Sequence, residues 1–405
     1  MKRVVVLIDG AADEPIEKLE GQTPIEFAHK PTIGEMAHYS QIGMAHTVPE
    51  GCLPGSDTAN LAILGYDPRI YNFGRSALEA VSIGIDLNEE DVTFRVNLVN
   101  VSEDEEAYGD KIILDHSADE ITTEEADILI KAVEEVFGDS IRKFYTGVSY
   151  RHILVWNGGS VDVNLTPPHD ILGKKIGDFM PSGTHADYIW SIMGKSYELL
   201  SHHPINLERK KRGLKSANSI WLWGEGTKPN LTSFREKYNI KGAVISAVDL
   251  IKGIAISAGL KSIDVEGATG TVHTNYKGKA DAAIKSLLED GDDFIYIHVE
   301  GPDECGHQQD MENKIRSLEL IDEKIIAPVK KALDDSKYEY KILVIPDHPT
   351  PLRLRTHTRD PVPYMIYKKD ALLVDKNAVY GETYAAQTGK DIHEGYTIMD
   401  ELFRP

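Results

Sequence analysis

Three stretches of the chain are uninterrupted apolar runs that stop abruptly on acids. Val4-Val5-Val6-Leu7-Ile8 ends at Asp9-Gly10, Phe294-Ile295-Tyr296-Ile297-His298-Val299 ends at Glu300-Gly301-Pro302-Asp303, and Ile342-Leu343-Val344-Ile345 ends at Pro346-Asp347-His348. Continuous β-branched runs of this length predict central strands covered on both faces. Between them, residues 280–289 and 314–333 repeat apolar positions at three- and four-residue spacing, which predicts helices. Alternating strands and helices predict an α/β fold built on a doubly wound, mostly parallel sheet. In such a sheet the C-terminal strand ends share one edge, so acids far apart in sequence converge there.

Residues 88–213 carry a different pattern. Phe94, Val96 and Leu98 alternate with Arg95 and Asn97, and residues 151–156 form another strand-like run, which predicts a partly solvated antiparallel sheet. Thr122 with Glu125 predicts a capping box for a helix running to Phe137. The expected organisation is a catalytic domain from residues 1–87 and 214–405, interrupted by a smaller α/β domain at 88–213. The basic stretch Arg209-Lys210-Lys211-Arg212-Gly213 marks the expected return, with Ser219-Ile220-Trp221-Leu222-Trp223 resuming the large sheet.

Composition narrows the chemistry. In 405 residues, 65 acids against 44 Lys+Arg give a formal charge of −21 at pH 7, which argues against general nucleic-acid or anionic-membrane binding. An anionic substrate must therefore meet a local cationic pocket. The two cysteines, Cys52 and Cys305, make no disulfide framework, and no segment has signal-peptide or membrane-span character, so the expected compartment is the cytoplasm. The pattern leaves the oligomeric state open.

The strand-end residues are those of a metal centre. Asp303 and His307 lie four residues apart, so one turn of helix aims both at one ion, while Asp347 and His348 are adjacent and His357 follows in a proline-containing loop. Each piece alone reads as ordinary surface polarity, whereas three such clusters together read as a site. Nitrogen and oxygen donors without thiolates suit manganese, magnesium or zinc. Ser56 lies in Pro54-Gly55-Ser56-Asp57-Thr58-Ala59-Asn60, where it reads either as a helix N-cap or as a nucleophile beside a phosphate at a helix start.

These motifs carry a resemblance. V-V-L-I-D-G, P-G-S-D-T-A-N, E-G-P-D-E-C-G-H, P-D-H-P-T-P and T-H-T-R-D-P-V-P resemble the alkaline phosphatase superfamily. Together with G-R-S-A-L-E-A, F-R-V-N and G-A-T-G, they look more closely like the archaeal-type, cofactor-independent phosphoglycerate mutases over essentially the whole chain. The resemblance implies two divalent ions, manganese foremost, and no 2,3-bisphosphoglycerate. One ion would sit on Asp303, His307 and His357, the other on Asp9, Asp347, His348 and the Ser56 oxygen. It further implies that Ser56 takes the phosphoryl group of 3-phosphoglycerate, a small anionic phosphoester, and returns it as 2-phosphoglycerate. Meanwhile the inserted domain closes as a lid. Substrate contacts are expected from Arg95, Arg151, His152, His169 and Arg209, with Arg151 and Asp170 as catalytic candidates, because arginine matches carboxylate and phosphate bidentately.

Other readings fit less well. A sulfatase would need C-x-P-x-R, and Cys52-Leu53-Pro54-Gly55-Ser56 lacks the arginine. Gly194-Lys195-Ser196 lacks the first glycine of a P-loop, and no G-x-G-x-x-G follows the opening strand. Within the resemblance, the alternative is a homoserine kinase-like or other small-molecule phosphotransferase. Ser76, where related mutases more often carry glycine, points mildly toward that alternative.

Overall fold

A computed structural model gives the fold and describes residues 1–71 and 73–404. In chain order the strands are β1 (Lys2–Ile8), β2 (Ser40–Ala45), β3 (Asp91–Val101), β4 (Ile113–Asp115), β5 (Arg142–Val148), β6 (Arg151–Asn157), β7 (Val163–Asn164), β8 (Ser182–Gly183), β9 (Ser219–Thr227), β10 (Gly242–Ile245), β11 (Lys261–Ser262), β12 (Phe294–Val299), β13 (Tyr340–Ile345), β14 (Val362–Lys368) and β15 (Asp391–Ile392). The chain divides into two compact units, Met1–Asn72 with Asn230–Pro405, and Phe73–Pro229.

The first unit is an eight-stranded sheet in the order β11-β10-β12-β1-β13-β14-β2-β15. Only β14 runs against its neighbours. The three apolar runs are β12, β1 and β13, side by side and parallel, in register from Arg3 opposite Phe294 and Lys341. Successive strand side chains point to opposite faces. Every residue of β12 and β13 and all of Val4–Ile8 are buried, so both faces of this central trio are covered. The helix expected at 314–333 is Met311–Ile321 and Ala327–Asp334, joined by a π-helical turn at Asp322–Ile326. That turn brings the buried Asp322 carboxylate onto the Thr32 and Ile33 N–H groups at 3.1 and 2.7 Å. There it caps the helix Pro31–Ala37, satisfying two N–H groups that have no partner within the helix.

The second unit corrects three expectations. Its bounds, 73 and 229, lie outside the expected 88 and 213, so Arg75–Ser82 and Ser219–Thr227 belong to it. The run 219–223 does not resume the large sheet. As β9 it pairs antiparallel with β3, from Val92 opposite Thr227 to Val99 opposite Ser219. Nor is β3 partly solvated, since all eleven of its residues are buried. Phe94, Val96 and Leu98 pack into a core with the helices Thr123–Phe137 and Ala186–Leu200. On β6, Ile153 and Val155 pack on Ala77 and Ala80 of the helix Arg75–Ser82, which forms a second small core. The pattern missed this because strand partners far apart in sequence leave no local signal.

Thr122 does cap the helix Thr123–Phe137, accepting from the Glu125 N–H at 3.3 Å. The reciprocal half of the box is absent because the Glu125 carboxylate goes to Arg209 and Arg212. Thr122→Ala is therefore expected to cost about 1 kcal/mol in denaturant unfolding, the value of one half-box. Gly194-Lys195-Ser196 lies inside the helix Ala186–Leu200, which removes the P-loop reading. Among the described residues, no helix is long and apolar enough to cross a membrane.

Candidate metal and phosphoryl-transfer site

The parallel trio delivers its acids to one edge. Asp9 follows β1 directly, Asp347 and His348 follow β13, and β12 runs into the helix Gly301–Gln308, which carries Asp303 and His307 one turn apart. Asp303, His348 and His357 each offer a ligand atom within 4.8 Å of the others, and Asp9, Asp347 and His348 do the same. His307 joins the first group, its Nε2 3.2 Å from Asp303 Oδ2 and 2.9 Å from His357 Nε2. His348 Nε2 is shared between the groups, 3.3 Å from Asp347 Oδ2 and 3.7 Å from Asp9 Oδ1.

Ser56 is the first residue of the helix Ser56–Ile63, and Gly55 rather than Ser56 takes the N-cap position. The serine side chain makes no capping bond. Its Oγ instead lies 3.2 Å from His348 Nε2, at the positive end of the helix dipole. One turn on, Asn60 donates to Asp347 Oδ2 at 3.0 Å and to the Ser56 carbonyl at 2.8 Å, while its own oxygen accepts from buried Tyr296. Asn60→Ala would orphan Asp347 Oδ2 and the Tyr296 hydroxyl together. A loss of about 1–3 kcal/mol is expected in chemical denaturation.

Backbone and hydroxyl groups fix the carboxylates and imidazoles. Asp347 Oδ1 accepts from the Gly10 and His348 N–H groups at 3.0 and 2.8 Å. Gly10 has φ +60°, and a Cβ there would fall 2.4–2.6 Å from Asp303. This close approach of β1's end to Asp303 therefore requires glycine. Thr350 Oγ1 donates to Asp303 Oδ1 and lies 3.3 Å from His348 Nδ1. Since the hydroxyl has given its proton to Asp303, it accepts from Nδ1–H and leaves His348 Nε2 as a lone pair. His307 Nδ1 faces the Arg355 carbonyl at 3.0 Å. A carbonyl only accepts, so His307 Nε2 likewise turns a lone pair toward Asp303 in its neutral form.

The electrostatics call for positive charge. Burial, with Asp347, Asp303 and Glu300 adding to it, pushes Asp9 well above the usual carboxylate range, because the charged form loses its water and meets like charge. Asp9 Oδ1 is buried without a hydrogen-bond partner, while Oδ2 lies 2.8 Å from His298 Nε2. Burial would also raise Asp303, but its bonds to His307 and His357 hold it well below the ordinary range. The same bond to Asp303 raises His307 to about 9. An orphaned buried carboxylate oxygen and a set of converging N and O donors fit divalent cations, which would replace those protons.

Three supporting residues escaped the sequence reading. His298 is a fully buried histidine in an apolar strand, pushed down to about 3 by burial and held between Asp9 and Ser246 Oγ. A lone polar residue inside a run such as 294–299 was its signal. For Asn60 the unused signal was its i, i+4 spacing to Ser56. Lys279 is a buried lysine near the site, its Nζ on the His298 carbonyl at 2.7 Å. Lys277, two residues earlier, is exposed and pairs with Asp281.

The substrate-side expectations fare unevenly. Arg209 is not a free cation: 2% exposed, it bonds the Lys215 and Ala118 carbonyls and Glu125. Arg95 is locked bidentately on Glu79 and lies over the Trp223 ring at 4.4 Å. His152 is buried and accepts from Gly147 N–H at 3.1 Å. Arg151, His169 and Asp170 are the accessible members of the set.

Comparison with known proteins follows the same line. A family model described as 2,3-bisphosphoglycerate-independent phosphoglycerate mutase matches residues 37–206. Curated relatives of that name include one in Methanothrix thermoacetophila, 46% identical with 98% of each chain covered, and one in Methanosarcina barkeri, 45% identical with 95% of each covered. A solved protein from Pyrococcus horikoshii superposes with a TM-score of 0.81 at 28% identity, over 99% of this chain and 96% of that one.

Proposed function

Because the chain belongs to the 2,3-bisphosphoglycerate-independent phosphoglycerate mutase family, we propose that it interconverts 3-phosphoglycerate and 2-phosphoglycerate without a bisphosphoglycerate primer, through a phosphoserine on Ser56. The observation that carries the phosphoserine is the Ser56 hydroxyl, released from capping and facing the lone pair of His348 Nε2 at 3.2 Å. The relatives' names favour a mutase over a homoserine phosphotransferase.

Two divalent ions, manganese foremost, would be held by Asp303, His307 and His357 and by Asp9, Asp347 and His348. When bound they supply neutralisation of the phosphoryl oxygens and a lowered pKa for the serine hydroxyl. The chain's own groups do the rest. Asn60, Gly10 and Thr350 fix the carboxylates and imidazoles, and the helix start at Ser56 turns its positive end to the phosphate. Ser56 Oγ forms the new P–O bond as the bond from phosphorus to the glycerate 3-oxygen breaks, and the serine proton passes to that oxygen. The 2-hydroxyl then attacks the phosphoserine, its P–O bond forms as the bond to Ser56 Oγ breaks, and its proton goes to Ser56 Oγ. Arg151, His169 and Asp170 are the side chains we assign to glycerate, because they are accessible and the expected alternatives are engaged elsewhere.

The test is a coupled assay from 3-phosphoglycerate with manganese and no bisphosphoglycerate. Turnover should vanish with a chelator and return with excess manganese. A folded, metal-loaded protein without turnover would overturn the assignment.

A further inference from the structure

Away from this site, a second set of metal-binding side chains meets at the edge of the large sheet. β15 pairs parallel with β2, Met44 opposite Asp391 and Ala45 opposite Ile392. Continuing that register by one residue sets His46 opposite His393. Asp391 and His393 are two apart and so share a side of the strand. The result is two imidazoles and a carboxylate whose ligand atoms all lie within 4.8 Å of one another.

The spacing matches that of a small ion. His46 Nε2 is 3.1 Å from Asp391 Oδ1, and His393 Nδ1 is 3.6 Å from Asp391 Oδ2. Ligands of a tetrahedral zinc, about 2.0–2.1 Å from the metal, stand about 3.3 Å from each other. The backbone beneath is fixed: His46 N–H donates to the Ile392 carbonyl at 2.9 Å, and the His46 carbonyl accepts from Gly395 N–H at 3.0 Å. A Cβ at Gly395 would fall 2.3 Å from that carbonyl, so glycine permits the close approach. The neighbouring cation, Arg69, is engaged with Asp67 and Glu394 and does not neutralise Asp391.

We propose that His46, Asp391 and His393 form a third metal site, selective for zinc or a similar divalent transition ion, that clips the two-residue strand β15 to β2. Two imidazoles with one carboxylate leave a fourth position to water, and the borderline donor set favours such ions over magnesium or calcium. The clip joins His46 to Asp391 across a long stretch of intervening chain at a short sheet edge. Its occupation should strengthen local and global stability, since an ion bound by the folded state alone shifts the folding equilibrium.

The experiment titrates zinc into the whole chain after chelator stripping, in competition with a chromophoric chelator, for the natural protein and for His46→Gln, Asp391→Asn and His393→Ala. His393 has a side chain 79% exposed, so its replacement leaves the fold intact and isolates the ligand's loss. The natural protein should bind one equivalent more than each variant, and zinc should raise its melting temperature more than theirs. Equal stoichiometry and affinity in all four proteins would overturn the site.

Discussion

Ser56→Ala is expected to lower mutase turnover about 10⁴-fold or more, to the level that binding and charge stabilisation give without a nucleophile. The fold should survive the change. Gly55 holds the N-cap position, Ser56 Oγ makes no capping bond, and its contact is the ring of His348. Asp9, Asp347 and His348 remain to hold the ion that the Ser56 oxygen would share, so metal content should stay close to that of the natural protein. Steady-state kinetics beside circular dichroism and metal analysis separate the outcomes. Retained turnover would remove Ser56 from the chemistry, whereas loss of folding would return it to the role of a helix-start residue.

The largest stability effect is expected at Lys314. Its side chain is fully buried, with Nζ 2.7 Å from Asp13 Oδ2 and 2.9 Å from the Thr350 carbonyl. Asp13 Oδ2 also accepts from Leu352 N–H at 3.1 Å, so one ion pair ties the segment after β1 to the loop after β13. Burial pushes the lysine pKa down and Asp13 holds part of it back, the opposed effects of lost hydration and a nearby opposite charge. Lys314→Met leaves the Asp13 carboxylate buried and unpaired, at a cost of about 3–5 kcal/mol. The double change Lys314→Met with Asp13→Leu should recover much of that loss, because the desolvation of both charges disappears together. Urea unfolding of the two single variants and the double variant closes the cycle. A single-variant loss below about 1 kcal/mol would show that water reaches Asp13 and that the pair behaves as an exposed one. Thr350 also donates to Asp303, so turnover of the single variant should fall with stability.

Much of the catalytic unit was legible because its central strands are buried on both faces. Val4–Ile8, Phe294–Val299 and Ile342–Ile345 have no solvent face to encode, so they read as continuous apolar runs. Their acids mark the chain's exit to the sheet edge. Ser56 was ambiguous, since a cap and a nucleophile share one local sequence; only the position of Gly55 and His348 separates them. The second unit was harder. Its bounds depend on β9 pairing with β3 from far along the chain, and no residue of Ser219–Trp223 names that partner. Arg209 shows the same limit for a charged side chain: its basic neighbours suggested an anion pocket, but Glu125, on another helix, claims it. Lys277 and Lys279 lie two residues apart on one helix, and only their packing decides that Lys279 is the buried one.

The central claim is that the phosphoryl group passes through Ser56. Rapid quenching of the manganese-loaded protein with radiolabelled 3-phosphoglycerate, without bisphosphoglycerate, followed by peptide mapping, tests it directly. Label should appear on the Ser56 peptide within one turnover, chase into 2-phosphoglycerate, and be absent from Ser56→Ala. Label on another residue, or turnover with no labelled protein at any quench time, would contradict the account.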